Sequence, residues 1–312
     1  MAFRSAASAA NDDAIRTGAL VLDGGAVLDF QAAYEVLVHG RFPPAQLTPQ
    51  QWFDLESPLW SKARTLYDSV VRERAALESV REAGAVVARE RIVLLAPVPR
   101  PGKLICIGLN YRDHALESKL AIPEQPVVFS KFASAVIGTG QPVVLPRSST
   151  QVDYEAELAV VIGKRAKHVA VERALEHVLG YTNFNDVSAR DFQFADGQWQ
   201  RGKSCDTFAP MGEFIATTDE IPDPHRLAIK LRLNGRTMQD SSTAQLIFGV
   251  PALIAFLSDS ITLEPGDVIA TGTPPGVGFA RKPPVFLAPG DTMEVEIEGL
   301  GVLHNPVAAA PR

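Results

Sequence analysis

Six short segments rich in β-branched and apolar residues occupy the chain from residue 103 onward. They read KLICIG, PVVFSKF, ELAVVIG, AIKLRLNG, DVIATG and MEVEIEG, and glycine, proline or aspartate turns separate them. Segments of this length and composition are typical of β-strands. Two helical patterns interrupt them, near residues 171–179 and 244–258. Short strands with few helices predict a β-rich barrel or sandwich.

A different pattern precedes these strands. Residues 18–30 predict a hairpin, because two apolar runs flank the turn Asp23-Gly24-Gly25. Helical patterns follow at about residues 29–38 and 61–90, and the second is long, charged and amphipathic.

Three closely spaced prolines mark the boundary between the two patterns. Pro97, Pro99 and Pro101 alternate with other residues and predict a short, stiff linker. We therefore divide the chain into a small α/β N-terminal domain, residues 1–98, and a β-rich catalytic domain, residues 99–312.

The composition excludes several classes of protein. A formal net charge of −6 over 312 residues argues against a nucleic-acid-binding protein, which usually has a basic face. No apolar run approaches the roughly 18–20 residues that a membrane-spanning helix needs. The N-terminus lacks a hydrophobic signal region, and Asp12 and Asp13 argue against a transit peptide. Cys106 and Cys205 are expected to be free thiols in the reducing cytoplasm.

Three acids alternate with apolar residues in the segment VDYEAEL, residues 152–158. On a strand, Asp153, Glu155 and Glu157 share one face, about 6.5–7 Å apart. Like charges on one face repel, and desolvation costs each of them free energy. Two interpretations stay open at this point: a solvated polar face, or a cation that the carboxylates bind.

A second acidic stretch supports the cation. NFNDVSARDFQ, residues 183–193, contains Asp186, which could be a third carboxylate ligand. Asp191 lies beside Arg190, so we expect it in a surface ion pair instead. Carboxylates without clustered histidine or cysteine favour Mg²⁺, Mn²⁺ or Ca²⁺ over zinc.

One histidine stands in a context typical of catalysis. His114 lies in GLNYRDHALES, directly after a strand and a turn, and Glu117 follows at i+3 on the same side of a helical turn. A carboxylate beside a histidine sets its tautomer and basicity, so the pair can act as a general base or form a surface contact. The other histidines are expected to be structural or on the surface: His39, His168, His177, His225 and His304.

The segment GQWQRGKS, residues 197–204, matches the phosphate-loop pattern G-x-x-x-x-G-K-[ST]. A phosphate loop needs a helix after the lysine, but CDTFAPMG follows, so we do not expect a nucleotide site. Lys203 can still hold an anionic substrate or stabilise an enolate. Within an acidic surface, the cations that suggest a local positive site are Lys131, Arg190, Arg201 and Lys203.

Five of these motifs follow one another in a known order. GLNYRDHALE, DYEAELAVVIG, NDVSARDFQ, GKSCDTFAPMG and ATGTPPGVG cover about residues 100–305, two thirds of the chain. In this order they resemble the fumarylacetoacetate hydrolase family. The resemblance implies an α+β, β-rich chain with the family's mixed β-roll or sandwich as its catalytic domain, assembled as a homodimer.

The resemblance also implies a divalent-metal site, a base dyad and a set of substrate contacts. The ion would be Mg²⁺ or Mn²⁺, with Ca²⁺ able to replace it in crystals, and Asp153 would be a neighbour of the metal ligands. The implied metal ligands are Glu155, Glu157 and Asp186, the dyad is His114 and Glu117, Lys203 would contact the substrate, and Arg190, Gln193 and Thr273 would hold the substrate's carboxylate end.

One position departs from the family pattern. Ile107 stands seven residues before His114, where fumarylacetoacetate hydrolases proper have a further aspartate ligand. The chain therefore resembles the acylpyruvase-like branch, and its C-terminal segment KPPVFLAPGDTMEVEIEGLG looks like bacterial members that act on sugar-derived 2,4-dioxo acids.

The resemblance implies a hydrolase that cleaves a carbon–carbon bond of a small anionic 2,4-dioxo acid, such as an acylpyruvate or fumarylpyruvate. A carboxylic acid and a pyruvate-type enolate would be released. The same enolate serves two alternatives: isomerisation of an acid of the 2-hydroxyhepta-2,4-diene-1,7-dioate type, and decarboxylation of oxaloacetate. A protein that only binds its ligand would leave the dyad and the carboxylates unexplained.

Overall fold

Three sheets of at least five strands organise the part of the chain that the computed structural model describes, residues 1–5, 15–38, 49–118 and 121–311. The N-terminal sheet is antiparallel throughout, in the order β4-β3-β2-β1-β5. Its strands and the helices that cover it are β1 (Ala2–Ser5), β2 (Arg16–Val21), β3 (Ala26–Asp29), α1 (Phe30–Leu37), α2 (Pro58–Arg72), α3 (Arg74–Glu82), β4 (Val86–Ala88) and β5 (Ile92–Leu95).

The predicted hairpin is confirmed, since β2 and β3 pair antiparallel on either side of the Asp23-Gly24-Gly25 turn. The first predicted helix is confirmed as α1. The single helix predicted over residues 61–90 is wrong, because the segment forms α2, α3 and β4. Glu73 has extended backbone angles (φ −115°, ψ 111°) and separates α2 from α3, whereas Gly84, at φ +74°, follows the end of α3.

The start of α1 depends on one buried acid. Asp29 is 1% exposed, and its Oδ1 accepts hydrogen bonds from the backbone N–H groups of Gln31 and Ala32. Its Oδ2 accepts a hydrogen bond from Arg16 at 2.6 Å.

We expect Asp29→Ala to lower the free energy of unfolding by about 2 kcal/mol, because the helix loses its N-cap and Arg16 loses its partner. Urea denaturation of the variant measures this change. Asp68→Ala is the control: Asp68 is partly exposed and lies 3.9 Å from Arg72, so we expect a change below about 0.5 kcal/mol. Equal effects of the two substitutions would contradict the capping role.

The remaining strands form two further sheets and two short pairs. One sheet has the order β15-β12-β11-β18-β6-β7, and the other has the order β17-β16-β19-β20-β9. The strands are β6 (Leu104–Gly108), β7 (Val127–Ser130), β8 (Val136–Ile137), β9 (Val143–Leu145), β10 (Val152–Asp153), β11 (Ala156–Ile162), β12 (Val178–Asn185), β13 (Ser188–Ala189), β14 (Ala209–Pro210), β15 (Ala216–Thr217), β16 (Ala228–Leu233), β17 (Arg236–Ser242), β18 (Val268–Ala270), β19 (Thr292–Ile297) and β20 (Val302–Ala309).

The helices of this region are short. They are α4 (Arg112–Ser118), α5 (Arg190–Gln193), α6 (Gln200–Lys203) and α7 (Val250–Ser260), with 3₁₀ turns at Ala133–Ala135, Val171–His177, Thr243–Gln245 and Gly278–Ala280. The N-terminal region has 3₁₀ turns at Pro49–Trp52 and Arg89–Arg91. The helix predicted near 171–179 is therefore a 3₁₀ turn that leads into β12. The helix predicted near 244–258 begins later, as α7, because Pro251 is accepted only in a first helical turn.

Strand β11 lies between two hydrophobic layers, and all seven of its residues are buried. Leu158 and Val160 belong to a hydrophobic cluster with residues of the sheet β17-β16-β19-β20-β9. Ala159 and Val161 belong to a second cluster, with residues of α1, α2 and α3. Alternate residues of a strand point to opposite faces, which explains the division. Because the second cluster includes residues on both sides of residue 98, the two-domain division stays a prediction.

The observed architecture confirms the predicted α+β, β-rich fold class, in its sandwich form. Cys106 and Cys205 are free thiols, as expected. Of the helices that the structure describes, none is long and apolar enough to cross a membrane.

Candidate active site and metal centre

Three buried carboxylates meet where β11 begins and β12 ends. Glu155 precedes β11, Glu157 is its second residue, and Asp186 directly follows β12. The two strands pair antiparallel, and the Asp186 N–H donates to the Glu155 carbonyl at 2.9 Å. One oxygen from each carboxylate lies within 4.8 Å of the others. The structure brings the three predicted metal ligands together, and their role as ligands stays a prediction.

The interpretation of VDYEAEL, residues 152–158, as a solvated polar face is wrong. Asp153, Glu155 and Glu157 are only 0%, 7% and 1% exposed. They also do not share one continuous strand, because β10 ends at Asp153 and β11 begins at Ala156. Each buried carboxylate must therefore find a positive partner or a hydrogen-bond donor inside the protein.

Glu155 and Asp186 find their partners in buried cations. The Lys203 Nζ lies 2.6 Å from Glu155 Oε2 and 2.7 Å from Asp186 Oδ2, and the other Asp186 oxygen accepts a hydrogen bond from Lys131. Arg190 lies 2.6 Å from Glu155 Oε1. Burial alone would raise the pKa of Glu155, but Lys203 and Arg190 outweigh burial and hold this pKa at about 2. Glu155 therefore stays ionised.

Glu157 has no such partner among the described residues, in which no lysine or arginine forms an ion pair with it. The hydrogen bond that its side chain accepts comes from the Gly272 N–H at 3.0 Å. Burial, with the nearby charges of Asp186 and Glu155, raises the pKa of Glu157 well above its ordinary value. A divalent cation would supply the missing charge, and carboxylate oxygens are ligands that Mg²⁺ and Mn²⁺ prefer. The donor set therefore fits the implied metal.

Asp153 lies apart from this group and organises the neighbouring loop. Its Oδ2 accepts hydrogen bonds from Arg190 Nε and Nη2 at 2.9 and 2.8 Å. The N–H groups of Gly278 and Phe279 donate to its two oxygens at 2.7 and 3.1 Å. The Tyr154 N–H donates to Oδ1 at 2.8 Å as a fifth donor. Asp153 thereby holds Arg190 and the loop after β18 in place, and its place as a neighbour of metal ligands stays a prediction.

His114 and Glu117 lie on α4, and the helical spacing places them on one side as predicted. His114 Nδ1 is 3.4 Å from Glu117 Oε2, and the same oxygen accepts a hydrogen bond from the Gly276 N–H at 3.1 Å. If Glu117 holds the proton on Nδ1, Nε2 of His114 is left as the base. The Asp113 side chain accepts hydrogen bonds from the His114 N–H and from Ser241, which ties this turn of α4 to β17.

A cavity of about 480 Å³ joins these groups. His114, Glu117, Glu155 and Glu157 line it, and so do all the predicted substrate contacts: Arg190, Gln193, Lys203 and Thr273. The Arg190 Nη1 donates to Gln193 Oε1 at 2.9 Å. Burial alone would lower the pKa of Arg190, but Glu155 and Asp153 raise it above its ordinary value, so Arg190 stays charged.

Lys203 and its surroundings argue against a nucleotide site. Its Nζ is bound by two carboxylates, and α6, which ends at Lys203, has only four residues. Burial would lower the pKa of Lys203, but Asp186 and Glu155 raise it above its ordinary value. The side chain is therefore a fixed ammonium group at the wall of the cavity.

Some predictions for other polar residues need correction. Asp191 does not pair with Arg190, since it accepts hydrogen bonds from Ser149 Oγ and the Thr150 N–H. Arg201 stacks on the Phe192 ring, 4.0 Å from its centroid, and does not line the cavity. The local positive site therefore consists of Lys131, Arg190 and Lys203.

The other described histidines lie outside the cavity, as expected. They bond to the backbone or face acids at the surface: His168 faces Asp259, His177 contacts the Lys164 carbonyl, His225 accepts from the Val250 N–H, and His304 lies on β20. His39 lies outside the described residues.

Sequence reasoning missed two groups of residues in and around the cavity. Phe129 and Trp199 meet edge to face with ring centroids 5.3 Å apart, and Phe194 and Phe279 do so at 5.9 Å. All four rings line the cavity. Gln239, on β17, is buried behind Thr273. Neither group has a motif, because each comes together only when separate segments pack.

The chain is similar to proteins of one family. The family model described as Fumarylacetoacetate (FAA) hydrolase C-terminal matches residues 103–308. A human relative, Oxaloacetate tautomerase FAHD2A, mitochondrial, is 48% identical over 250 residues, 78% of this chain and 80% of the relative. Oxaloacetate tautomerase fahd2, mitochondrial, from Xenopus laevis is 51% identical over 224 residues, 71% of this chain and 70% of the relative.

Solved structures show the same architecture. A putative HpcE protein from Mycobacterium smegmatis superposes with a TM-score of 0.77 at 37% identity, covering 99% of both chains. A 2-hydroxyhepta-2,4-diene-1,7-dioate isomerase from Mycobacterium marinum has a TM-score of 0.64 at 40% identity, covering 73% of this chain and 82% of that one.

Proposed function

The chain belongs to the fumarylacetoacetate hydrolase family, and from that premise we propose that this enzyme interconverts the enol and keto forms of small anionic 2-oxo acids, with oxaloacetate as the first substrate to test. The observation that carries the proposal is a single cavity that His114, Lys203, Glu155 and Glu157 all line. The names of the tautomerase and isomerase relatives support this reaction over carbon–carbon hydrolysis.

Glu155, Glu157 and Asp186 would hold Mg²⁺ or Mn²⁺. When bound, such an ion supplies Lewis-acid stabilisation of negative charge on a 2-oxo group. Lys203 adds to that stabilisation from the protein side, because its ammonium group is fixed by Glu155 and Asp186 before the substrate arrives. Arg190, Gln193 and Thr273 would hold the substrate's carboxylate end.

His114 is the residue that we assign to proton transfer at C3 of the substrate. In the enol-to-keto direction, C3 gains a proton and the enol oxygen loses one, so no atom is gained or lost overall. Glu117 orients the imidazole through Nδ1 and leaves Nε2 to exchange the proton with carbon. The same groups would serve an isomerase that moves a double bond, since both reactions pass through a 2-oxo acid enolate.

Hydrolysis of acylpyruvates is the second candidate, and the aromatic walls of the cavity favour it. Phe194 is 57% exposed at the cavity and contacts Phe279. Apolar walls in a cavity of about 480 Å³ suit a substrate with an apolar acyl group, which is larger than a four-carbon acid. Decarboxylation of oxaloacetate would require the same enolate and stays a third outcome.

An ultraviolet assay tests the function. We expect the protein with Mg²⁺ or Mn²⁺ to accelerate loss of the oxaloacetate enol absorbance, and EDTA followed by dialysis to remove that acceleration, because the carboxylate cluster holds the ion. Carbon dioxide and pyruvate are measured in the same samples. Protein-free samples with the same metal give the spontaneous rate.

The products separate the alternatives. Faster enol loss without carbon dioxide or pyruvate supports the tautomerase, whereas carbon dioxide indicates a decarboxylase. No acceleration with oxaloacetate or with hydroxymuconate-type acids, together with stoichiometric pyruvate from an acylpyruvate, would replace the proposal by the hydrolase.

We further propose a homodimer and a cytoplasmic location. Both cysteines are free thiols, which agrees with a reducing compartment; the human and Xenopus relatives are named mitochondrial. Light scattering of the purified protein and fractionation of the source cells test the two statements.

A further inference from the structure

A β-bulge on β17 turns Gln239 into the interior. In the pairing of β16 with β17, Leu231 faces Gln239 whereas Arg232 faces Thr237, so Met238 is an extra residue. Met238 and Gln239 are consequently both buried, at 6% and 1% exposure, where a regular strand would alternate. Because of the bulge, the sheet β17-β16-β19-β20-β9 places one polar side chain, Gln239, next to the cavity.

Three hydrogen bonds fix the orientation of the Gln239 amide. Its Oε1 accepts from the Ala156 N–H at 2.9 Å, and its Nε2 donates to Thr273 Oγ1 and to the Pro274 carbonyl, each at 2.8 Å. Reversing the amide would place a donor against an N–H and an acceptor against a carbonyl, so the orientation follows from the partners. Ala156 lies between Glu155 and Glu157, and Thr273 lines the cavity, so the Gln239 amide links the strand of the carboxylate cluster to a cavity residue.

The bond between Gln239 and Thr273 determines where the threonine hydroxyl can point. An amide nitrogen has no lone pair to accept with, so Thr273 Oγ1 is the acceptor in this contact. Its own hydrogen is used in no bond among the described residues. Thr273 is 6% exposed and lines the cavity, where that hydrogen can meet an anionic oxygen.

The loop that carries Thr273 is built against the same bulge. Gly276 has φ +100°, and a Cβ at that position would lie 2.1 Å from the Met238 carbonyl oxygen. At the other end of the loop, the Gly272 N–H donates to Glu157 at 3.0 Å. Gln239 thus sits at the point where the loop, the bulge and the strand of the carboxylate cluster meet.

We propose that Gln239 is a positioning residue. It makes the Thr273 hydroxyl a dedicated donor to the substrate's carboxylate, and it fixes the distance between that hydroxyl and the carboxylate cluster. The inference rests on the proposed function, because it needs a 2-oxo acid in this cavity. Gln239 itself does not touch the substrate.

The test uses oxalate, a planar dianion that resembles the enolate of a 2-oxo acid and does not react. Its Kd is measured calorimetrically on the Mg²⁺-loaded protein and on Gln239→Glu, Thr273→Val and the double variant. Glutamate keeps the acceptor for Ala156 but replaces the donor with an oxygen that accepts from Thr273. We expect each single variant to raise the Kd about tenfold, the size of one lost hydrogen bond to a charged group. The double variant should equal Thr273→Val within about twofold.

Kinetics give a second readout. A contact made equally to substrate and transition state changes KM rather than kcat, so Gln239→Glu should raise KM about tenfold and change kcat less than about threefold. Thr273→Ser, which keeps the hydroxyl, should bind oxalate like the unchanged protein. Gln245→Glu adds the same charge at an exposed position and should change neither constant.

The outcomes are distinguishable. Unchanged oxalate binding by Gln239→Glu, or additive losses in the double variant, would overturn the positioning role while the proposed function stands. If the unchanged protein binds no oxalate, the proposed function fails and the inference falls with it. If Gln239→Glu does not fold, a crystal structure of the unchanged protein with Mg²⁺ and oxalate decides. An oxalate oxygen about 3 Å from Thr273 Oγ1, with Gln239 still bound there, supports the proposal, and a rotated Thr273 overturns it.

Discussion

Glu157→Gln is expected to lower metal-dependent turnover by about 10²–10³-fold, the effect of removing a group that contributes about 3–4 kcal/mol to transition-state stabilisation, and to leave the metal-free protein folded. Glu157 is the member of the carboxylate cluster for which the described residues supply no cation. Neutralising it removes the charge that a divalent ion would balance. It also relieves repulsion from Asp186 and Glu155, so the melting temperature without metal should stay equal or rise.

Melting temperatures with and without Mg²⁺ check the assigned metal site. Mg²⁺ should raise the melting temperature of the unchanged protein, since a ligand that binds only the folded state stabilises it, and this shift should disappear in Glu157→Gln. The matched control is Glu155→Gln, which takes a charge away from buried Arg190 and Lys203. It should destabilise the metal-free protein by about 3–5 kcal/mol. A Glu157→Gln variant that keeps its Mg²⁺-dependent shift would show that the ion lies elsewhere.

His114→Asn should lower kcat by about 10²–10⁴-fold, the usual contribution of a general base, while Mg²⁺ binding stays intact. The imidazole lines the cavity, and it forms no ion pair with the carboxylate cluster. Loss of the ring therefore removes proton transfer without removing a metal ligand. Stopped-flow ultraviolet measurements of the tautomerisation give kcat, and calorimetry gives the affinity for Mg²⁺.

A matched control keeps this result interpretable. His304→Asn changes an exposed histidine on β20 and should leave kcat unchanged. Glu117→Gln should give a smaller loss than His114→Asn, because it disturbs the orientation of the base but keeps the base. Near-normal turnover in His114→Asn would mean that another group moves the proton.

The local parts of the site could be predicted from the sequence. The i+3 spacing of His114 and Glu117 follows from helix periodicity, and the alternation of Glu155 and Glu157 with apolar residues indicated that the two acids lie close together. The structure places each pair in one cavity. Burial of the acids could not be predicted in the same way. It depends on Lys131, which directly follows β7, and on Lys203, which ends α6, because both reach Asp186 only after the sheets pack.

Other misses have similar causes. Gln239 depends on a bulge, and bulges arise from strand pairing rather than from a local pattern. The break at Glu73 is invisible to periodicity, because the helices on both sides are amphipathic. The reaction was the hardest to predict, since hydrolase, isomerase and decarboxylase all need the same enolate-stabilising groups.

Strand β11 is buried on both faces, and this has a consequence for hydrogen exchange. Amides in such a strand exchange only when both hydrophobic layers open, so the backbone at Glu157 should share the protection of the whole fold. Helix α4, which carries His114, has seven residues and leaves Leu116 77% exposed. It can open by local unfolding. We therefore expect slow exchange at the backbone of Glu157 and faster exchange in α4, the helix that carries His114.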